Sequence, residues 1–322
     1  MPPSSTKLDP HEPVPFWRTA GHRYYRLGLY FRQVFGQPTW KITVDAGFDC
    51  PNRDGTVGTG GCRFCNPASF SPNRRHPLGG IADQIAHGAA RLGHRHGTQR
   101  FLAYFQPGTN TYAPVSELRA RYEEALACPG VVGLIVGTRP DCIADDALDL
   151  LADLARSTWV SLELGIQTIH DRSLDWLQRG HLHEASVDAV TRAKQRGLAV
   201  GAHLILGLPD ETRGDMLATA DEMTRLKIES VKLHNLYVVG DTPLARDHAA
   251  GRLALPSREQ YIDCVVGFLE RLRPECVVHR LAGDAPPEYL IEPQWCGRKT
   301  ELRAAIEAEL ERRDTFQGRF AE

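Results

Sequence analysis

The chain has 322 residues, of which 42% are hydrophobic and 24% are charged, and its formal net charge is -2. This is the composition of an ordinary globular protein with a sizeable core, which excludes disorder and fibrous structure. The near-neutral charge gives no global reason to expect a polyanionic partner, and any basic patch must be local.

The first segment, residues 1–15, is rich in proline and lacks the apolar run of a secretory signal. We interpret it as a flexible leader. The longest apolar runs, such as Val131 to Val136, are far shorter than the roughly 18 to 20 residues that a membrane helix needs. These features predict a cytoplasmic protein with no membrane contact.

Residues 17–36 combine four arginines with six aromatic residues and contain no acidic residue. The arginines are Arg18, Arg23, Arg26 and Arg32. Guanidinium groups suit phosphate neutralisation and aromatic rings suit base stacking, so the segment is a candidate RNA-binding face. A helix packed on the core, with its aromatic side inward and its arginine side outward, explains the same residues.

From about residue 40, short β-branched or apolar runs alternate with helix-like stretches. The predicted strands are Trp40 to Val44, Arg100 to Phe105, Val131 to Gly137, Trp159 to Gly165, Leu198 to Leu206 and Ser230 to Val238. Repeated strand, helix and strand units predict a parallel sheet with right-handed crossovers, either doubly wound or wrapped into a barrel. Both layouts place the chemistry at the carboxyl ends of the strands.

After Asp241 the pattern changes to a helix from Ser257 to Arg273, a short strand from Val277 to Leu281 and an amphipathic helix from about Arg298. No linker-like composition separates this region from the rest. We therefore expect a core over residues 16–245 and a C-terminal extension over residues 246–322 that packs on it.

Three of the eight cysteines form a C-x11-C-x2-C cluster, Cys50, Cys62 and Cys65, directly after the first predicted strand. In a reducing compartment such a cluster indicates a metal site rather than disulfides. Zinc would want a fourth ligand, for which His76 is the nearest candidate. An iron-sulfur cluster on three cysteines would leave one iron open, and the position at the catalytic end of a strand favours it.

These cysteines, with Phe64 between the last two, resemble the radical SAM superfamily, and the long first gap is similar to its Elp3-related branch. Other stretches of the chain resemble that branch in the same order. They are Asp45 to Thr56, Tyr104 to Tyr112, Gly137 to Cys142, Glu163 to Thr168, His203 to Pro209 and Lys232 to Tyr237. The resemblance covers roughly residues 20–300.

The resemblance implies an α/β fold, a partial (β/α)6 barrel of the TIM type with N-terminal and C-terminal extensions. It also implies that Cys50, Cys62 and Cys65 hold a [4Fe-4S] cluster, which an electron donor such as flavodoxin or ferredoxin reduces. S-adenosyl-L-methionine would bind the open iron and yield a 5'-deoxyadenosyl radical. The expected function is modification of the wobble uridine side chain of tRNA. The alternatives are a radical enzyme acting on a small molecule such as a porphyrin precursor, and a non-catalytic, zinc-stapled RNA-binding protein.

The same resemblance gives candidates for cofactor binding, which are Phe64, Gln106, Glu163, Gln167 and His203. Glu163 would accept hydrogen bonds from the cofactor, unless it forms a structural salt bridge instead, because a buried unpaired carboxylate is costly. Gln106 has the alternative of stabilising its loop.

Polar residues alternate with leucines along the sixth strand, and Lys232 and His234 are the candidates for catalysis. Arg139 and Asp141 are weaker candidates for substrate contacts. Cys296 is either a radical relay or a small buried side chain. The remaining cysteines, Cys128, Cys142, Cys264 and Cys276, are expected only to pack.

Overall fold

The computed structural model describes residues 14–321, so most of the expected leader, residues 1–13, lies outside it. Seven strands form one parallel sheet, and two further strands form a small antiparallel pair. The strands are β1 (Trp40–Val44), β2 (Phe101–Phe105), β3 (Val131–Thr138), β4 (Trp159–Gln167), β5 (Ala199–Leu206), β6 (Ser230–Asn235), β7 (Val238–Val239), β8 (Val277–Arg280) and β9 (Leu290–Glu292). The order in the main sheet is β1-β2-β3-β4-β5-β6-β8.

Helices connect the first six strands, two helices precede β1, and one follows β9. The helices are α1 (Phe16–Thr19), α2 (Leu27–Phe35), α3 (Pro67–Phe70), α4 (Pro72–Arg75), α5 (Ile81–His96), α6 (Val115–Leu126), α7 (Asp145–Ala155), α8 (Asp171–Trp176), α9 (His183–Gln195), α10 (Arg213–Arg225), α11 (Pro243–Ala249), α12 (Arg258–Arg271) and α13 (Lys299–Arg312). None of the helices described is long and apolar enough to cross a membrane.

The sheet is buried on both faces, which is why its strands read as apolar runs rather than as alternating patterns. All five residues of β2 are buried, and six of the eight residues of β3 are. Helix α7 covers the outer face of the sheet with Leu148, Leu150 and Leu151. Asp145 and Asp146 lie in its first turn, where negative charge stabilises the positive end of the helix dipole. The six strands predicted between residues 40 and 238 are confirmed, with boundaries shifted by a few residues.

The sheet continues beyond residue 245, where the sequence analysis placed the end of the core. Strand β8 pairs in parallel with β6, with Ser230 opposite Val277, and so adds a seventh strand. The carboxylate of Glu163 on β4 lies 3.1 Å from both Lys41 on β1 and His279 on β8. Side chains from the two edges and the middle of the sheet therefore meet, because the sheet is curled into a partial barrel.

The N-terminal segment lies along the open edge beside β8. Arg26 forms a parallel bridge with Val278, and the indole nitrogen of Trp17 donates to the carbonyl of Pro274 at 3.0 Å. The amide of Tyr25 donates to the side chain of Gln317 at 2.9 Å. Both ends of the described chain thus take part in closing the barrel.

A candidate cofactor site at the carboxyl ends of the strands

One cavity of about 160 Å³ lies at the carboxyl ends of the strands and brings the cysteine cluster and the cofactor candidates together. It is lined by Cys50, Cys62, Cys65, Phe64, Gln106, Glu163, Gln167 and His203, among others. These residues come from the loop after β1, from the residue that follows β2 and from strands β4 and β5, so the parallel sheet assembles them. Every residue that the sequence assigned to the cluster or to cofactor binding lines this cavity.

Two nitrogen donors hold the Cys62 sulfur. Asn52 Nδ2 lies 3.2 Å and Arg179 Nη1 lies 3.3 Å from Cys62 Sγ. Both donors are fixed in turn, because Asn52 also donates to the carbonyl of Gln178 and Arg179 also donates to the carbonyl of Gly165. A guanidinium and an amide can donate in the same way to the sulfur of a metal-bound cysteine.

The donor set fits a four-iron cluster with one open iron. Each cysteine of such a cluster binds a different iron, so the three sulfurs need not converge on one point. Within residues 14–321, no three Cys, His, Asp or Glu side chains converge closely enough to hold a single metal ion. His76, the expected fourth ligand of a zinc site, is exposed after α4 and does not line the cavity.

One further observation suits a polar cofactor. Arg139 lines the cavity, and its Nη1 atom is buried without a hydrogen-bond partner. Burial raises the pKa of the Cys65 thiol to about 12, and the neighbouring Cys62 adds to this effect. Metal binding would displace the proton from that thiol, because the thiolate is the ligand.

The segment after β2 holds the cysteine loop in place. Gly108 has a φ of +79°, and a Cβ atom there would lie 2.4 Å from the carbonyl oxygen of Phe48, just before the cluster. Asn110 Nδ2 donates to the carbonyls of Phe105 and Gly137, at 3.1 and 2.7 Å, and so joins the ends of β2 and β3. The Gly and Asn of this motif thus have structural roles, and Gln106 faces the cavity.

Glu163 is the centre of a buried polar cluster below the cavity. Its two oxygens lie 3.1 Å from Lys41 Nζ, 3.1 Å from His279 Nδ1, 2.5 Å from His203 Nε2 and 3.6 Å from Lys232 Nζ. A carboxylate has about four lone-pair sites, and Lys41, His279 and His203 lie within hydrogen-bond distance of them, while Lys232 is a more distant ion-pair partner. The structure thus shows the salt bridges of the alternative interpretation, and a hydrogen bond from the cofactor to Glu163 stays a prediction.

Charge explains the protonation of this cluster. Burial alone would raise the pKa of Glu163, but Lys41 and Lys232 hold it well below its usual value. Burial lowers the pKa of Lys232 to about 7, and it lowers the pKa values of His203 and His279 to about 4. Near neutral pH the two histidines are uncharged, and Glu163 is the carboxylate that faces the buried lysines.

The two catalytic candidates lie at different depths. His234 lines a second cavity of about 160 Å³ together with Phe64, Gln106, Gln167 and His203, so this cavity adjoins the first. Lys232 lies behind the wall, 7% exposed, where its Nζ atom donates to the hydroxyl of Tyr104 at 2.5 Å. Lys232 lines neither cavity, so in this geometry it can act only through neighbouring side chains.

The weaker candidates, Arg139, Asp141 and Cys296, have internal contacts. Arg139 makes a bidentate ion pair with Asp141, at 3.0 and 2.7 Å, and donates to the carbonyl of Arg179 at 2.6 Å. Cys296 is fully buried and lines neither cavity, as its packing alternative predicts.

Sequence reasoning missed Arg179, Lys41, His279 and Arg280. Arg179 lies in a stretch that resembles no motif, and only the fold brings it to Cys62. A signal did exist for Lys41, since a lysine inside a predicted buried strand must find a partner or be neutral.

Residues 54–223 match the model of the Radical SAM superfamily, and residues 228–312 match that of the Radical_SAM C-terminal domain. The chain is 39% identical over 313 residues to YtqA of Bacillus subtilis, and the alignment covers 96% of each protein. It is 27% identical over 165 residues to a tRNA uridine(34) acetyltransferase of Methanocaldococcus jannaschii, covering 50% of this chain and 30% of that protein. Among solved structures, Methanocaldococcus infernus Elp3 superposes with a TM-score of 0.64 at 17% identity. That superposition covers 87% of this chain and 64% of the Elp3 chain.

Proposed function

The chain belongs to the radical SAM superfamily, and from that premise we propose that it modifies transfer RNA, at the side chain of a wobble uridine. It is a radical SAM enzyme, and its cofactors are a [4Fe-4S] cluster and S-adenosyl-L-methionine. When bound, these cofactors supply a 5'-deoxyadenosyl radical that abstracts hydrogen from the substrate.

The chain's own residues hold and shield these cofactors. Cys50, Cys62 and Cys65 would bind three irons, and Asn52 and Arg179 would keep their hydrogen bonds to the Cys62 sulfur. Hydrogen bonds to cluster sulfurs tune the reduction potential, which assigns a redox role to these two residues.

The rest of the cavity would hold the cofactor's organic part. Gln106 and Gln167 offer amide donors and acceptors, Phe64 offers an apolar face, and His203 forms the floor. Gln167 has a φ of +68°, an unusual conformation for a residue with a side chain. Strain of this kind concentrates at functional sites, which supports a role for Gln167 in binding.

The similarity to tRNA-modifying proteins supports tRNA as the substrate. The related acetyltransferase is named for uridine 34 of tRNA, and a second relative is Elongator complex protein 3 of Schizosaccharomyces pombe, 25% identical over 174 residues. The second cavity is consistent with a nucleobase, because Phe64 and Tyr237 offer faces for stacking. His234 lines this cavity and is our candidate for contact with the substrate.

The radical chemistry is tested by anaerobic reconstitution, with dithionite in place of the flavodoxin or ferredoxin that we propose as electron donor. We expect 5'-deoxyadenosine from the wild type and from Cys128→Ala, whose cysteine lies outside the cavity, but none from Cys62→Ala. A colourless zinc protein that produces no 5'-deoxyadenosine would contradict the assignment.

The substrate is tested separately by nucleoside profiling of total tRNA from a deletion strain. We expect one wobble uridine derivative to disappear and its precursor to accumulate, with rescue by the wild-type gene but not by the Cys62→Ala gene. Unchanged tRNA nucleosides would refute the tRNA proposal and would leave the radical chemistry standing.

A further inference from the structure

A groove of about 580 Å³ runs between the N-terminal segment and the C-terminal helix α13, at the open edge of the barrel. Its walls come from residues 22–32 on one side and residues 299–303 on the other. The end of β8 and the turn after it form the base. The groove is separate from the cofactor cavity, and the mechanism above does not use it.

The groove carries an excess of positive charge. Five cationic side chains line it, and Asp284 is the carboxylate among the lining residues. The cations are Arg26, Arg32, Arg280, Lys299 and Arg303. Asp284 pairs with Lys299 at 2.6 Å, and Glu307 pairs with both Arg26 and Arg303, at 2.9 and 3.8 Å. Two carboxylates therefore face five cations, which leaves a local surplus of three positive charges on a chain of net charge -2.

Two of the cations lack an anionic partner. Arg32 is exposed and pairs with no carboxylate of residues 14–321. The nearest polar contact of Arg280 is His234, with Nη2 2.6 Å from the imidazole Nδ1. That imidazole is neutral, because burial and the neighbouring Arg280 lower its pKa. The Nε atom of Arg280 is buried without a hydrogen-bond partner.

The inner end of the groove reaches the active site. Arg280 and Asp284 line both the groove and the second cavity, where His234, Phe64 and Tyr237 also lie. An anionic chain in the groove would therefore place a neighbouring group at the entrance to the cavity beside the cofactor site.

We propose that this groove binds the phosphate backbone of the RNA substrate, with Arg280 as its innermost phosphate contact. The inference rests on the proposed function, which makes the substrate an RNA. A lateral groove lined by guanidinium and ammonium groups matches a polyanion, and the aromatic and amide cavity at its end matches a base turned out of its stack.

The location corrects the expected RNA face. Trp17, Tyr24, Tyr25 and Phe31 are at most 7% exposed and pack on the barrel, so they do not stack on bases. The alternative of a segment with its aromatic side inward holds. Its arginines still contribute, because Arg26 and Arg32 form one wall of the groove.

The test measures tRNA binding directly, so that cofactor turnover plays no part. The cluster-loaded protein is titrated against fluorescently labelled total tRNA, and anisotropy is followed at several salt concentrations. The test variant is the double charge reversal Arg32→Glu and Arg303→Glu. The control is Arg119→Glu and Arg156→Glu on α6 and after α7, where both side chains are exposed and the change in net charge is the same.

We expect the groove variant to bind tRNA at least tenfold more weakly at about 150 mM salt. The slope of log K against log salt should fall in magnitude by about 0.7 to 0.9 for each phosphate that the variant no longer neutralises. The control should stay within twofold of the wild type. If both variants bind as the wild type does, or both weaken equally, the groove is not the RNA site although the proposed function stands. If the wild type itself binds no tRNA, the proposed function and the groove proposal fall together.

Discussion

Replacing Glu163 with glutamine should test whether this one carboxylate holds the barrel interior together. The side chain is 1% exposed, and its oxygens contact Lys41, Lys232, His203 and His279. Glutamine keeps the size but removes the charge that faces two buried lysines. Removing one partner of a buried ion pair costs about 3–5 kcal/mol, because the other charge is left uncompensated.

The cost should depend on pH in a defined direction. With Glu163 present the pKa of Lys232 is about 7, and without it the pKa must fall further. In the unfolded chain the lysine stays protonated up to about pH 10.4, so the depressed value makes stability rise with pH above the folded pKa. If Lys232 is neutral at pH 6 in the folded variant, its titration makes the free energy of unfolding of the wild type about 1.4 kcal/mol higher than that of the variant at this pH. The difference vanishes by pH 9, because Lys232 is then neutral in both folded proteins.

The measurement is urea unfolding of the cluster-loaded protein under anaerobic conditions at pH 6 and pH 9. Glu309→Gln is the matched control, since Glu309 pairs with Arg312 and Arg313 on the surface of α13. Its loss should stay within about 1 kcal/mol. The account of Glu163 as the charge centre would be refuted if its replacement cost no more than the control, or if the loss were equal at both pH values.

Three further outcomes are expected. Arg179→Gln removes a hydrogen-bond donor to Cys62. If that hydrogen bond favours the reduced cluster by about 1.4 kcal/mol, the midpoint potential should fall by roughly 60 mV. An unchanged potential in a reductive EPR titration would exclude a role of Arg179 in setting the potential. Burial lowers the pKa of His279 to about 4, so between pH 7 and pH 5.5 only the unfolded state takes up a proton at this residue, and the wild type loses stability. The variant His279→Gln should lose about 1 kcal/mol less than the wild type over this pH range. Equal losses for the two proteins in urea unfolding would contradict this account. Gly108→Ala should lower the free energy of unfolding by at least about 2 kcal/mol, because the new Cβ atom would clash with a backbone carbonyl. The control Gly97→Ala, also at positive φ but in open space, should lower it by only about 1 kcal/mol. Equal thermal shifts would show that the clash relaxes.

The sequence predicted the site well where local pattern and strand order decide it. The strand ends carry Gln106 and Gln167, and parallel strands must bring such ends together. The three cysteines followed from their spacing after β1. These residues line one cavity, as expected.

What escaped prediction depends on contacts between distant parts of the chain. The partners of Glu163 lie 122 residues before it, at Lys41, and far after it, at His279. No local pattern pairs these residues, and the pairing requires the sheet to curl. The groove escaped for the same reason, since its two walls lie near opposite ends of the sequence.

The meeting of the chain's two ends also sets the order in which the protein can fold. The backbone amide of Tyr25 donates to the side chain of Gln317, 292 residues later, and the indole of Trp17 donates to the carbonyl of Pro274, 257 residues later. During synthesis at about 5–20 residues per second, the aromatic side of the N-terminal segment therefore waits for roughly 15 to 60 seconds before its cover emerges. A chain halted before residue 274 would therefore leave this aromatic side without the partners that cover it in the folded protein.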